Sequence, residues 1–129
     1  DDRFWRWRFY MAQRIAAQLD PEKYGVQGVY LIGSTNNGTA GPGSDIYLVI
    51  HFTGSTLQHT ALIEWLQGWS LCLAEMNYLK TGYPSDGLLD IHFISDEDII
   101  KRAPFALKIS GITDPAYQLS LGQASPGKD

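Results

Sequence analysis

Cysteine is almost missing from this chain: Cys72 is the only one. A single thiol rules out an internal disulfide framework and a cysteine-cluster zinc site. It also fits a reducing compartment, and the cytoplasm is the expected location. Long apolar runs are missing too. None approaches the roughly 20 residues that a membrane-spanning helix needs, and no signal-peptide pattern opens the chain. Excess positive charge is lacking, since 10 Lys and Arg stand against 14 Asp and Glu for a formal net charge of −4. That balance argues against a broad electrostatic grip on nucleic acid. With no internal repeat and 129 residues, the expectation is one domain spanning residues 1–129 around one core. At 44% hydrophobic and 19% charged, the composition belongs to globular rather than disordered chains. The chain begins "DDRFWRWRFY" without an initiator Met and ends in a polar "GQASPGKD", so it reads as a domain cut from a longer protein.

What is present is a clear alternation of periods. Phe4, Trp7, Met11, Ile15 and Leu19 recur at spacings of three and four, which predicts a helix from Asp2 to Leu19 ending at Pro21. Val26 to Ile32 is rich in Val, Tyr, Leu and Ile and predicts a strand. Gly33 to Ser44, with four glycines and Pro42, predicts a loop carrying a short helical turn after Ser34. Asp45 to Phe52 predicts a second strand. Leu62, Trp65, Leu66, Trp69, Leu73 and Met76 line one side of a long predicted helix from Thr56 to Leu79, and Cys72 is expected in that buried face. A turn around Gly82 and Pro84 leads to a third strand, Leu88 to Ile94. Ser95 is a predicted N-cap for a short helix through Arg102, with Asp96, Glu97 and Asp98 in its first turn. One more short helix and a loose tail are expected beyond Pro104.

This order predicts an α/β (α+β) sandwich, a short mixed sheet with helices packed on one face. Period-two alternation puts Ile46, Leu48, Ile50 and Phe52 on one side of the second strand and Asp45, Tyr47, Val49 and His51 on the other. On the third strand Leu89, Ile91 and Phe93 oppose Asp90 and His92. Chemistry is therefore expected on the carboxylate-bearing face, away from the helices.

The most informative stretch is "VYLIGSTNNGTAGPGSDIYLVIHF", Val29 to Phe52. Gly33-Ser34 closes an apolar strand, ten residues intervene, and Asp45 opens the next strand. Asp90, in "LLDIHFIS", adds a carboxylate on a later strand. A Gly-Ser turn lets backbone N–H groups and a hydroxyl approach a phosphate closely. Carboxylates on one sheet face can hold divalent cations that in turn hold a polyphosphate.

These residues resemble the polymerase-β-type nucleotidyltransferase superfamily, and "GTAGPGSDI" is especially similar to its minimal bacterial members. The resemblance covers about Val26 to Ile94 and implies a nucleotidyltransferase-like fold. It further implies a nucleoside triphosphate substrate, with ATP the expected one, and Mg²⁺ or Mn²⁺ as cofactor. A nucleoside monophosphate would pass to a hydroxyl acceptor with loss of pyrophosphate. Asp45 and Asp90 are implied as catalytic metal ligands. Gly33, Ser34, Ser44 and Tyr47 are implied as nucleotide-site positions. Neighbouring domains of the same chain are implied partners for acceptor recognition; neither a membrane nor a nucleic acid is expected.

The sequence departs from the family at one position. The family carries Asp-x-Asp where this chain reads Asp45-Ile46-Tyr47. A phenol with an ordinary pKa of about 10 supplies no charge at neutral pH and is a poor Mg²⁺ ligand. Whether the domain turns over is therefore left open, and a catalytically impaired nucleotide-binding or regulatory module of a larger enzyme is the competing expectation. A third is an interaction domain docking through the aromatic first helix. Arg3, Arg6 and Arg8 interleave with aromatics there, and packing is favoured over base stacking. His92 is expected to play a structural or supporting role beside Asp90, and Asn36, Asn37 and Thr39 to be plain loop residues.

Overall fold

The computed structural model describes residues 2–110 and 116–122. The first helix, α1 (Asp2–Gln18), buries Arg8, Ala12, Ile15 and Ala16. The buried stripe is thus rotated from the predicted one: Trp7 and Met11 pack half-buried at its side, and an arginine occupies its centre. Pro21 ends α1 and also starts a short α2 (Pro21–Tyr24), because the Asp20 side chain accepts from the N–H groups of Glu22 and Lys23. The strand β1 (Val26–Ile32) follows, then a five-residue helix α3 (Gly33–Asn37), then β2 (Ile46–Phe52).

The long helix α4 (Thr56–Thr81) starts in a capping box in which Ser55 and Gln58 bond each other's backbone, and it ends at Gly82 in the left-handed conformation. The strand β3 (Leu89–Ile94) leads to α5 (Asp96–Ile100), capped by Ser95 as expected. Then come α6 (Pro104–Ser110) and a strand the sequence did not suggest, β4 (Tyr117–Leu119). Most of the expected loose tail, residues 123–129, lies outside the described residues.

The sheet order is β3-β2-β1-β4. β1 pairs antiparallel with β2 and β4, while β2 and β3 run parallel, so the sheet is mixed. The parallel pair is joined through α4, the crossover that such a pair requires. Ile46, Leu48 and Ile50 of β2 join Ala12, Ile15, Leu62, Leu66 and Leu73 in the main core, so α1 and α4 cover one face as predicted. Leu89, Ile91 and Phe93 pack against the same core. No helix among the described residues is long and apolar enough to cross a membrane.

The opposite face is less open than its carboxylates suggested. Ile32, Val49, Ile94 and Ala106 form a second buried cluster, with Tyr47, Phe105 and Ile109 packed against it. α6 therefore closes part of the face on which chemistry was expected. Cys72 needs a correction as well: it is exposed, not core. Its helix is apolar on several sides, with Leu57, Leu71 and Leu79 also exposed, so apolar character alone did not mark the buried stripe.

The second cluster makes a direct prediction. Val49→Asp would be tolerated on an open polar face, but Val49 is fully buried. The substitution is expected to destabilise the domain by roughly 3 kcal/mol or more, because it buries a carboxylate without a partner. Urea unfolding followed by circular dichroism measures the loss.

Candidate functional site

Three strands converge on one spot. Ile32 at the end of β1 pairs with Tyr47 on β2, and Tyr47 pairs with Asp90 on β3. Gly33-Ser34, Tyr47 and Asp90 therefore stand side by side across the sheet, with Asp45 one step before β2. The backbone explains Gly33. It takes a φ of +79° where the extended chain of β1 turns into α3, a conformation that L side chains adopt at a cost. Ser34 offers its backbone carbonyl to the N–H groups of Gly38 and Thr39, which closes α3.

Ser44 has a structural task. Its hydroxyl accepts from the Gly41 N–H at 2.9 Å and its own N–H donates to the Gly41 carbonyl at 3.2 Å. The turn it closes is tight, since a Cβ on Gly43 would come within 2.6 Å of the Tyr83 ring. Ile46 then donates to the Leu88 carbonyl at 2.7 Å, which ties the start of β2 to the start of β3.

Arg8, expected only as one of three arginines interleaved with the aromatics of the first helix, supports the loop before Asp45. It is fully buried, and its guanidinium is spent on the loop before Asp45. Nε donates to the Ser44 carbonyl at 2.9 Å and Nη2 to the Pro42 carbonyl at 3.2 Å. Nη2 also donates to Asn77 Oδ1 at 2.8 Å, and Nη1 to the Phe4 carbonyl at 2.9 Å. Asn77, itself fully buried, donates from Nδ2 to the same Pro42 carbonyl at 2.9 Å. α1 and α4 thus hold the loop between them through two polar side chains. One signal did exist in the sequence: Arg8 falls at helical spacing with Ala12, Ile15, Ala16 and Leu19, a cation on an apolar stripe. Asn77 gave a similar signal on α4.

Electrostatics couple the same groups. Asp45 has its pKa raised, first by desolvation and then by the negative charge of Asp90, with Arg8 pulling the other way. Burial lowers the Arg8 pKa and Asp45 opposes the shift. Tyr47 is pushed above the ordinary phenol value, by burial first and by Asp90 second, so it is neutral at physiological pH. Its ring packs against Phe105 of α6 with centroids 5.8 Å apart. His92 also packs on Phe105, with centroids 3.8 Å apart, in keeping with a supporting role. His51 pairs with Asp96 at 2.6 Å, away from this cluster.

Asp45 feels the negative charge of Asp90, and two carboxylates as a donor set suit one hard cation. Mg²⁺ is usually held by one or two carboxylates plus phosphate oxygens. Among the described residues no group of three or more His, Cys, Asp or Glu side chains is placed to hold a metal by itself. The set fits a single ion shared with a ligand's phosphates and does not fit an ion pair bridged by protein carboxylates.

Two outcomes follow. Arg8→Ala leaves the Ser44 carbonyl and Asn77 Oδ1 without their donor, while Pro42 keeps only its bond from Asn77. The substitution is expected to cost on the order of 3 kcal/mol, read as a lower urea midpoint. Asp45→Asn should act in the opposite direction at neutral pH. A carboxyl whose folded pKa is raised favours folding when protonated, and that contribution is lost as pH rises through the folded value. The neutral amide should therefore raise the melting temperature at pH 7, with the gain shrinking on acidification below the raised Asp45 pKa. A lower melting temperature for Asp45→Asn at pH 7 would count against this electrostatic picture.

The family model described as nucleotidyltransferase domain matches residues 14–101, from within α1 through β3 to the end of α5. Comparison with curated proteins returns no match, and comparison with solved structures returns none either. The family match takes in Gly33, Ser34, Asp45, Tyr47 and Asp90 and most of the chain's length. The chain belongs to the nucleotidyltransferase domain family, in agreement with its polymerase-β-type motif.

Proposed function

We propose that the domain binds a nucleoside triphosphate, ATP the expected one, and transfers its nucleoside monophosphate to a hydroxyl acceptor. Nucleotidyl transfer in general is what the family does; the nucleotide, the cation and the residue roles are our reading. The observation that carries it is the alignment of the Gly33-Ser34 turn, Asp45 and Asp90 around one position of the sheet. Gly33 and Ser34 would take the phosphates through backbone N–H groups and the serine hydroxyl. Asp45 and Asp90 would hold one Mg²⁺ or Mn²⁺. When bound, the cation neutralises phosphate charge and polarises the P–O bonds.

The balance of the reaction is simple. The acceptor oxygen forms a bond to the α-phosphorus, the bond from that phosphorus to the bridging oxygen breaks, and pyrophosphate leaves with the electron pair. Asp90, exposed at the sheet edge, is the group we place to receive the acceptor's proton. Arg8 keeps Asp45 in place by holding the Pro42–Ser44 backbone and does not touch the nucleotide. Ser44, committed to its turn, is a positioning residue in this reading.

Tyr47 favours a second reading. Its neutral ring occupies the position of a carboxylate and packs against Phe105. Each 1.4 kcal/mol of transition-state stabilisation lost is about a factor of ten in rate, so the site is expected to turn over weakly or to bind nucleotide without turnover, as a regulatory module would.

Titration calorimetry separates the readings. A non-hydrolysable ATP analogue is titrated with and without Mg²⁺ into the natural chain and its Tyr47→Asp variant. Mg²⁺-dependent binding by both is the expected result, with transfer activity rising ten-fold or more in the variant. Binding by the variant alone means that Tyr47 closes the site. A folded chain that binds in neither form removes the nucleotide reading.

A further inference from the structure

The sheet has an uncovered side at β3. Among the described residues β3 has a neighbour only in β2. Leu89 donates its N–H to Ser70 Oγ at 3.0 Å and not to β2. Backbone groups alternate along a strand, so Ile91 and Phe93 share that outward direction. Most edge strands carry a device against pairing, such as a lysine, a proline or a bulge. Leu89-Asp90-Ile91-His92-Phe93-Ile94 has neither Lys nor Pro, its one carboxylate is Asp90, and its pairing with β2 is regular. Beside it lies a groove of about 430 Å³, lined by Ile63, Leu66 and Gln67 of α4 and by Leu89, Ile91 and Phe93.

We infer that this edge pairs with the β3 edge of a second copy of the chain, antiparallel, about a two-fold axis through Ile91. The side chains of β3 choose this occupant and this register. With the axis at Ile91, Leu89 faces Phe93 of the other copy, Ile91 faces itself, and Asp90 faces His92 in both directions. The Asp90–His92 positions are non-hydrogen-bonded pairs, the kind whose side chains lie closest, and a carboxylate opposite an imidazole is favourable there. Moving the axis to Asp90 sets two carboxylates against each other. Moving it to His92 leaves Asp90 facing Ile94. The apolar side chains of both copies share the α4 face of the joined sheet, where the grooves receive them and the half-exposed Ile63 borders the contact. Leu89's N–H is already satisfied by Ser70, so the new ladder rests on Ile91, Phe93 and the Leu89 carbonyl.

The pairing brings a histidine of one copy to the carboxylate of the other at the sheet position where Tyr47 leaves the family's set of acidic groups incomplete. It shares Asp90 with the functional proposal but needs neither nucleotide nor turnover, so association measured without nucleotide tests it apart from that proposal.

Sedimentation velocity on the chain from about 1 to about 100 μM tests it, with association expected within that range. Asp90→His sets imidazoles against each other and His92→Asp sets carboxylates against each other. Each single substitution should weaken association ten-fold or more, and the double exchange should restore it to within about three-fold. Hydrogen exchange of the natural chain supplies a readout that does not depend on variants folding: the Ile91 and Phe93 amides should slow as concentration rises. A chain that stays monomeric, a dimer indifferent to the exchange in folded variants, or concentration-independent exchange at Ile91 overturns the proposal.

Discussion

The arrangement depends on one buried cation. A guanidinium removed from water is costly unless its N–H groups are satisfied, and Arg8 meets that condition by drawing on two helices and a loop. Phe4 lies on its own helix, Asn77 on α4, and Pro42 and Ser44 on the segment between β1 and β2. The loop has no regular structure to fix it. Its carbonyls are turned inward to the arginine instead, and the next residue is Asp45. A carboxylate that must stand near another carboxylate needs such a support. The positive charge beneath the loop offsets part of the repulsion from Asp90, and its bonds to the Pro42 and Ser44 carbonyls hold the backbone that leads into Asp45.

Tyr47 shows how packing and charge meet at one sheet position. In register between Ile32 and Asp90, a carboxylate there would add negative charge to a pair that already repels. A phenol removes that repulsion and gains packing against Phe105, which extends the cluster of Ile32, Val49, Ile94 and Ala106. The ring therefore fits the fold well and leaves the position without charge. At Asp45 the raised pKa marks the cost of keeping a partly buried carboxylate ionised beside Asp90.

The helices divide the labour unevenly. α1 and α4 bury the main core on one face, and α6 covers part of the other, so the candidate site is confined to one end of the sheet and does not span its whole second face. What remains open is an end, where β1 and β2 meet the Gly33-Ser34 turn and Asp45, and an edge, along β3.

Local chemistry made much of this legible in the sequence. The alternation of Ile46, Leu48 and Ile50 against Tyr47 and Val49 gave the strand faces, because period two is a property of the backbone. Ser95 and its acidic followers gave the α5 cap, and the Gly33-Ser34 to Asp45 spacing gave the family. The sequence did not disclose what α6 covers or that Tyr117–Leu119 adds a fourth strand, because both depend on partners distant in the chain. Cys72 and Arg8 show the same limit from two sides. An apolar helix does not say which of its faces meets the core, and an arginine at core spacing is buried only if other segments bring acceptors to it. Propensity, periodicity and motif spacing by themselves determined the elements, their faces and the family. Tertiary structure alone decided which polar groups were buried, which loop they held and where Asp45 stands, because buried charge is satisfied by whatever the fold brings within hydrogen-bond reach.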